Sequence, residues 1–113
     1  MSDLIKENEL VEVAMQIILH AGDARLKIEE ALDEVKKFDF TKAKEILQDA
    51  EECIRQAHVA QTQIIQNETS GKTYEASLLF NHAQDTLMTI MSEEKIAKQM
   101  LEIAEVLYKE LKK

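Results

Sequence analysis

Apolar residues recur every three or four positions along most of the 113-residue chain, and no proline interrupts them. This spacing places the apolar side chains on one face of an α-helix, whereas a β-strand would show strict alternation. The chain has only two glycines and is rich in Ala, Leu, Glu, Lys, Gln and Ile, which favour long helices. The pattern therefore predicts an all-α protein, and the length suits one domain with its own core.

The apolar spacing divides the chain into three segments. We predict helices at about residues 8–37, 41–66 and 74–111. They share no common signature at a period of about 34 residues, which argues against a repeat protein. Because the first connection is very short, the helices that it joins should lie antiparallel. The predicted architecture is an up-down-up three-helix bundle.

The two connections contain the residues that should cap the helices. After the first helix, Asp39 or Thr41 can accept hydrogen bonds from the free amides that open the second helix. Residues 67–73 are polar, contain Gly71 and form the predicted loop before the third helix. Thr73 is the expected N-cap of that helix.

The third helix has two apolar faces. The first should pack against the other two helices, and Glu94 interrupts it. The second face points away from the first. Its members are Leu78, Met88, Met91, Ile96, Met100, Ile103 and Leu107. Since two partner helices in a simple three-helix hairpin cannot cover both faces, the second face predicts self-association through the third helix.

Charge and composition restrict the class of protein. The formal net charge is −8. Nucleic-acid binding requires clustered Lys and Arg, so this charge argues against it and suits instead a protein partner with a basic patch. No apolar stretch approaches the roughly 20 residues that span a membrane, and the acidic N-terminus lacks the pattern of a signal peptide. With one cysteine in addition, the expectation is a cytoplasmic protein that is not an integral membrane protein.

His82 and Asp85 are the most informative ionisable pair, because they lie three residues apart within an apolar stretch. On a helix they share one face, about 60° apart, together with Thr86 and Thr89. A neutral imidazole is a competent nucleophile at cytosolic pH, and a neighbouring acceptor can fix which nitrogen is free. The pair therefore suits a phosphoryl acceptor. It also suits a structural histidine hydrogen-bonded to an aspartate, and the spacing alone favours that second interpretation.

Asp85 has a separate pair of interpretations. If the third helix lies along an oligomer axis, identical Asp85 side chains converge there. Like charges so close together require a cation or a proton. One hypothesis is a divalent cation on the axis. The other is a partly exposed Asp85 that only orients His82.

The remaining candidates have simpler explanations. Cys53 is most simply a small core residue of the second helix. His58 follows an apolar core position and has Gln61 three residues on, so it can be a packing residue at the core boundary. His20 is most simply a helix-surface residue. No glycine-rich phosphate loop, zinc-ligand spacing or calcium-binding loop occurs in the sequence.

Several short segments, spread over the predicted helices and the first connection, occur in an order and spacing that match one known family. They are Ala21-Gly22-Asp23-Ala24-Arg25, Asp39-Phe40, Ala57-His58 with Gln61-Thr62, and His82-Ala83-Gln84-Asp85 with Leu87-Met88-Thr89. With these segments, the chain resembles the IIA components of the lactose/cellobiose class of the bacterial phosphoenolpyruvate-dependent sugar phosphotransferase system. The resemblance covers nearly the whole chain.

The resemblance implies a homotrimer, and so an assembly of nine helices. It implies a phosphohistidine at His82 and a divalent cation, Mg²⁺, held on the trimer axis by Asp85. Phosphate would arrive from the phosphocarrier protein HPr and leave to a IIB component, during uptake of a β-linked disaccharide such as cellobiose or lactose. The protein would then be a phosphotransferase component that never contacts the sugar.

The chain departs from the family pattern at three positions. Family members usually carry His where this chain has Thr86, so a proton donor or a partner that sets the tautomer of His82 is replaced. Phe38 stands where a glycine is common, which should change how the first helix ends. Asn81 stands where an apolar residue is common.

The group that stabilises the phosphate should come from outside the third helix. Gln84 points about 160° away from His82 on the same helix and should not reach it. His58 and Gln61 of the second helix, or residues of an adjacent copy, are the candidates. The alternative function is a non-catalytic helical adaptor or regulatory oligomer that uses the second apolar face to bind another protein.

Overall fold

The computed structural model describes residues 2–113, with side chains from Leu4 onward. It has three helices, α1 (Ser2–Lys36), α2 (Phe40–Thr69) and α3 (Leu78–Leu111), and no strand within the described residues. The all-α, three-helix prediction is therefore confirmed. The bundle is elongated, measuring 68 × 21 × 19 Å, because each helix runs along most of the length of the bundle.

Three helix boundaries differ from the sequence-based prediction by more than fraying. α1 begins at Ser2, six residues before the predicted start at about residue 8. α2 continues to Thr69, and α3 begins at Leu78, four residues later than predicted. The N-cap of α3 is Ser77, not Thr73, because the extended backbone at Ser77 lets its hydroxyl accept a hydrogen bond from the Phe80 amide at 3.1 Å. Residues 72–77 instead cross the end of the bundle without helical structure.

The core consists of two clusters along the bundle axis. Alanines on facing positions are fully buried and allow the helices to approach closely. One cluster surrounds Ile17, Ile64 and Leu87 near the start of α3. The other surrounds Ile90 and Leu101 and includes most of the buried alanines of α1 and α2. His82 thus lies on the helical turns that the first cluster holds in place.

The α1–α2 connection contains a residue with strained backbone. Phe38 has φ +64°, the left-handed conformation in which helices commonly end at glycine. Its ring stacks on Tyr108 of α3 with the ring centroids 4.7 Å apart, and this contact offsets part of the conformational cost. Asp39 then caps α2 by accepting a hydrogen bond from the Lys42 amide at 3.2 Å, as predicted.

The second apolar face of α3 is exposed, as the sequence predicts. Leu78 is 87% exposed, and Met88, Ile96, Met100, Ile103 and Leu107 are each more than half exposed. Met91 is the exception, since it is half-buried and packs against the core cluster near the start of α3. Within the described residues, no helix is long and apolar enough to cross a membrane.

Candidate functional site

His82 lies on the second turn of α3 with its side chain exposed to solvent. Among the described residues, no side chain forms a hydrogen bond with its ring, and in particular Asp85 does not. The structural interpretation, in which Asp85 holds the imidazole, therefore has no support in the protomer. The geometry leaves the imidazole free to react.

Thr86 and Thr89 share the His82 side of α3, but their hydroxyls bind the backbone. Thr86 Oγ1 donates to the carbonyl oxygen of His82 at 2.8 Å. Thr89 Oγ1 donates to the carbonyl oxygen of Asp85 at 2.8 Å. Threonine commonly makes this bond to the residue four positions earlier in a helix. Neither hydroxyl proton is therefore directed at the imidazole.

Asp85 is exposed on the outer face of α3, opposite the core. Within residues 4–113, its carboxylate takes part in no ion pair or hydrogen bond. The exposed side chains of Leu78, Met88 and Ile96 lie on the same side of α3. A carboxylate without a partner on an apolar surface of this kind fits a position where copies of the chain meet around a cation.

A single protomer does not form a metal site by itself. The described residues contain no group of three His, Cys, Asp or Glu side chains close enough to hold an ion. Any cation at Asp85 must therefore take ligands from more than one copy or from water. Identical carboxylates brought together by symmetry would supply the oxygen ligands that Mg²⁺ prefers.

His58 and Gln61 lie on α2, next to the alanine-lined contact with α3. Ala57 of α2 and Ala83 of α3 are both fully buried in the same core cluster. His58 is exposed, with Nδ1 3.4 Å from the hydroxyl of Thr62, and Gln61 is half-buried. Within the described residues, neither side chain forms a hydrogen bond with His82, and neither does Gln84.

A polar network that sequence patterns do not predict fixes the chain just before α3. Tyr74 donates to Glu9 Oε1 at 3.1 Å, and Asn67 donates both to Glu9 at 3.1 Å and to Tyr74 at 2.9 Å. Lys72 also pairs with Glu9, and this hydrogen bond is the main cause that lowers the pKa of Glu9. Because Glu9 is more than 50 residues from its partners in sequence, no local signal could have identified it.

The same segment forms one wall of an open groove of about 520 Å³ between the first turns of α1 and the residues before α3. The lining residues are Lys6, Glu7, Leu10, Val11 and residues 73–77. The groove ends at Ser77, the cap of α3, only five residues before His82. The polar network therefore fixes both the loop and the start of the helix that carries His82.

Comparisons with known proteins show which family the chain belongs to. The family model "PTS system, Lactose/Cellobiose specific IIA subunit" matches residues 12–105. The lichenan-specific phosphotransferase enzyme IIA component of Bacillus subtilis is 41% identical over 97 residues, which cover 86% of this chain and 88% of that protein.

Solved structures extend the agreement to the fold. PtcA from S. mutans superposes with a TM-score of 0.84 at 37% identity, covering 87% of this chain and 96% of that one. The IIA(Chitobiose) protein of Escherichia coli, solved in complex with HPr, has a TM-score of 0.76 at 34% identity, covering 88% and 96%. The chain belongs to the lactose/cellobiose-specific IIA family of the phosphotransferase system.

Proposed function

We propose that this protein is a phosphocarrier in which His82 accepts a phosphoryl group from phospho-HPr and passes it to a IIB component. The observation that carries the proposal is the exposed His82 ring, which has no hydrogen-bond partner among the described residues, in a chain of this family. A relative with the same fold has been solved as a complex with HPr. The acidic surface of this chain suits a basic partner patch.

The transfer step needs little covalent chemistry from the protein. A free ring nitrogen of neutral His82 attacks the phosphorus, an N–P bond forms, and the bond from phosphorus to the donor nitrogen breaks in line. The other ring nitrogen of His82 keeps its proton throughout. Catalysis then consists of positioning and charge stabilisation. His58, Gln61 or an adjacent copy of the chain supplies groups that approach the phosphate from outside α3, whereas Thr86 and Thr89 act only through the backbone.

The working form of the protein is a homotrimer of nine helices, assembled through the outer face of α3. That face is apolar and exposed in the protomer, and self-association would remove it from water. Asp85 lies within it, so three carboxylates converge on the axis. A divalent cation, Mg²⁺ in this proposal, neutralises their repulsion there and takes no part in the phosphoryl transfer.

The pathway served is the uptake of a β-linked disaccharide such as cellobiose or lactose. The family description names these two sugars. The protein works in the cytoplasm, where its phosphoryl donor and acceptor meet it, and it contacts other proteins, not the sugar. In this proposal, no sugar binds in the groove beside α3.

Phosphorylation in a reconstituted system tests the function directly. The protein is incubated with labelled phosphoenolpyruvate, enzyme I and HPr. We expect one acid-labile phosphate per chain, which His82→Ala abolishes and the matched control His20→Ala retains. Absence of label in the unaltered protein would refute the carrier function. It would leave the helical adaptor, which the exposed outer face of α3 also suits, as the better explanation.

A further inference from the structure

Glu94 is the one charged residue in the buried face of α3 among the described residues. Its side chain is only 9% exposed and lies between the buried residues Ile90 and Ala97. Its Oε1 atom is buried and has no hydrogen-bond partner within residues 4–113. An ionised carboxylate is strongly destabilised in such surroundings. The position therefore favours a carboxyl group that keeps its proton.

Glu51 of α2 lies beside the same stretch of α3, because its carboxylate pairs with Lys98, one helical turn after Glu94. Burial is the main cause that raises the pKa of Glu94, and the neighbouring carboxylate of Glu51 raises it further. Lys98 Nζ lies 3.6 Å from Glu51 Oε1, at the exposed edge of the contact. A protonated Glu94 can thus donate to an ionised Glu51, while Lys98 stabilises the charge that stays on Glu51.

The other charged groups at this level do not neutralise Glu94. On α1, Arg25 donates two hydrogen bonds to Glu93, at 3.0 and 3.1 Å. On α3, Lys98 and Lys95 lower the pKa of Glu94, but less than burial and Glu51 raise it. Cys53 of α2 is a half-buried thiol whose pKa burial raises.

The charged groups around Cys53 do not supply the Glu94 carboxyl group with a cationic partner either. Asp23 and Lys27 of α1, with Asp49 and Glu52 of α2, act on the thiol in opposing directions and are exposed or half-buried. No ion pair to Glu94 occurs within the described residues. A proton is therefore the simplest positive charge that the site can hold.

A metal ion fits this contact less well than a proton. A metal ion bound by these two carboxylates would need further ligands from water, because the described residues contain no third His, Cys, Asp or Glu close enough to supply one. The ammonium group of Lys98 already occupies the solvent side of Glu51. A shared proton requires no such ligand set.

We propose that Glu94 and Glu51 share one proton across the α2–α3 contact, and that this proton is a pH-sensitive clamp between the two helices. When the proton leaves, the buried carboxylate of Glu94 is charged beside the carboxylate of Glu51, and α3 loosens from α2. Glu51 lines an open groove of about 220 Å³, so the proton can exchange with solvent. The clamp is separate from His82, which lies about three turns away and about 120° around α3.

The direction of the pH effect follows from linkage. The folded chain binds this proton more tightly than the unfolded chain. The stabilisation is therefore complete below the pKa of an unfolded glutamate and is lost as the pH rises through the raised pKa of the folded state. An ordinary exposed glutamate contributes no such loss above pH 5.

Carbon-13 NMR of the glutamate carboxyl groups in the intact protein tests the sharing directly. We expect the Glu94 signal to titrate at a clearly higher pH than the exposed glutamates, and Glu51 to show a second step at the same pH. In Glu94→Gln, the second step of Glu51 should disappear. Titration of Glu94 together with the exposed glutamates would overturn the proposal.

Denaturant unfolding at fixed protein concentration tests the clamp. Between pH 5.5 and 8.5, the unfolding midpoint of the unaltered protein should move to lower denaturant. Glu94→Gln, which keeps the shape without the charge, should lose most of that shift. Glu102→Gln, an exposed carboxylate on the same helix, should retain it. An unchanged shift in Glu94→Gln would contradict the clamp.

A last experiment distinguishes a shared proton from a bound metal ion. The NMR titration is repeated at constant pH with added Mg²⁺ in an Asp85→Leu background, where the axial carboxylates proposed for the trimer are absent. We expect the signals of Glu94 and Glu51 to stay in place. Saturable movement of both signals with Mg²⁺ would replace the shared proton by a cation site and refute the proposal.

Discussion

The hydroxyl of Thr86 donates its hydrogen bond to the carbonyl oxygen of His82, at 2.8 Å, and not to the imidazole ring. The resemblance to the family leads us to expect a histidine at position 86, so the chain would replace an imidazole one turn from His82 with a group that bonds to the backbone. Positioning and protonation of His82 must therefore come from elsewhere. This relationship gives a first prediction about transfer rates.

We expect Thr86→Val to leave the rate of phosphoryl transfer within about twofold of the unaltered protein, because a hydrogen bond from threonine to its own helix contributes little to the reacting ring. The rate is measured with HPr and purified IIB component. Thr89→Val, which loses the equivalent bond to Asp85, is the matched control. A loss of tenfold or more in Thr86→Val alone would show that the hydroxyl acts on the imidazole.

The proposed cation site predicts a specific result for Asp85→Leu. Removing three converging carboxylates should remove the bound divalent cation and preserve, or strengthen, the trimer, since leucine suits the surrounding apolar face. Metal content is measured by elemental analysis and oligomeric state by sedimentation velocity. Asp33→Leu, an exposed change on α1, should keep the metal. Full metal retention in Asp85→Leu would contradict an axial site.

The outer face of α3 predicts which substitutions dissociate the oligomer. Ile96→Glu should give a smaller species in sedimentation, because three copies of the new charge would be brought together in an apolar contact. The helical circular dichroism should be retained, since the residue is 58% exposed in the protomer. Val59→Glu on α2, 56% exposed, is the matched control. Equal behaviour of the two variants would mean that the outer face of α3 is not the interface.

The α1–α2 turn predicts a contrast between two substitutions of Phe38. Phe38→Ala keeps the backbone penalty of a positive φ and loses the stacking on Tyr108, so it should lower the free energy of unfolding by about 1 kcal/mol. Phe38→Gly loses the same contact but also loses the penalty, and should be more stable than Phe38→Ala by about 1 kcal/mol. Denaturant unfolding measures both. Equal stability of the two variants would show that the left-handed backbone carries no strain.

The polar network at Glu9 predicts a pH effect opposite in sign to that of Glu94. Lys72, Tyr74 and Asn67 lower the pKa of Glu9, so the folded state binds its proton less tightly than the unfolded chain. The stabilisation is present above the pKa of an unfolded glutamate and is lost as the pH falls through the lower pKa of the folded state. Glu9→Gln should therefore reduce the loss of unfolding free energy as the pH falls, whereas Glu12→Gln should not. If Glu9→Gln loses as much unfolding free energy at acid pH as the unaltered protein, Glu9 does not have this role.

Helix type, helix number and the two faces of α3 could be predicted from the sequence because they depend on local spacing. An apolar residue every three or four positions can bury its side chain only as one face of a helix, whatever the partner. The same rule identified the outer face of α3. The family was predictable because its matching residues, with His82 and Asp85 among them, lie at fixed spacings along the chain.

Only the tertiary structure decided the features that depend on residues far apart in sequence. Thr73 and Ser77 are both good caps, and α3 begins after Ser77 because Tyr74 is held by Glu9, 65 residues away. Glu94 interrupts the apolar spacing, and only its packing opposite Glu51 shows that it is buried and not turned to solvent. The sequence by itself determined which face of each helix would be buried, since that follows from helical periodicity. The tertiary structure decided which polar groups meet between helices, since that depends on the rotation and height at which the helices pack.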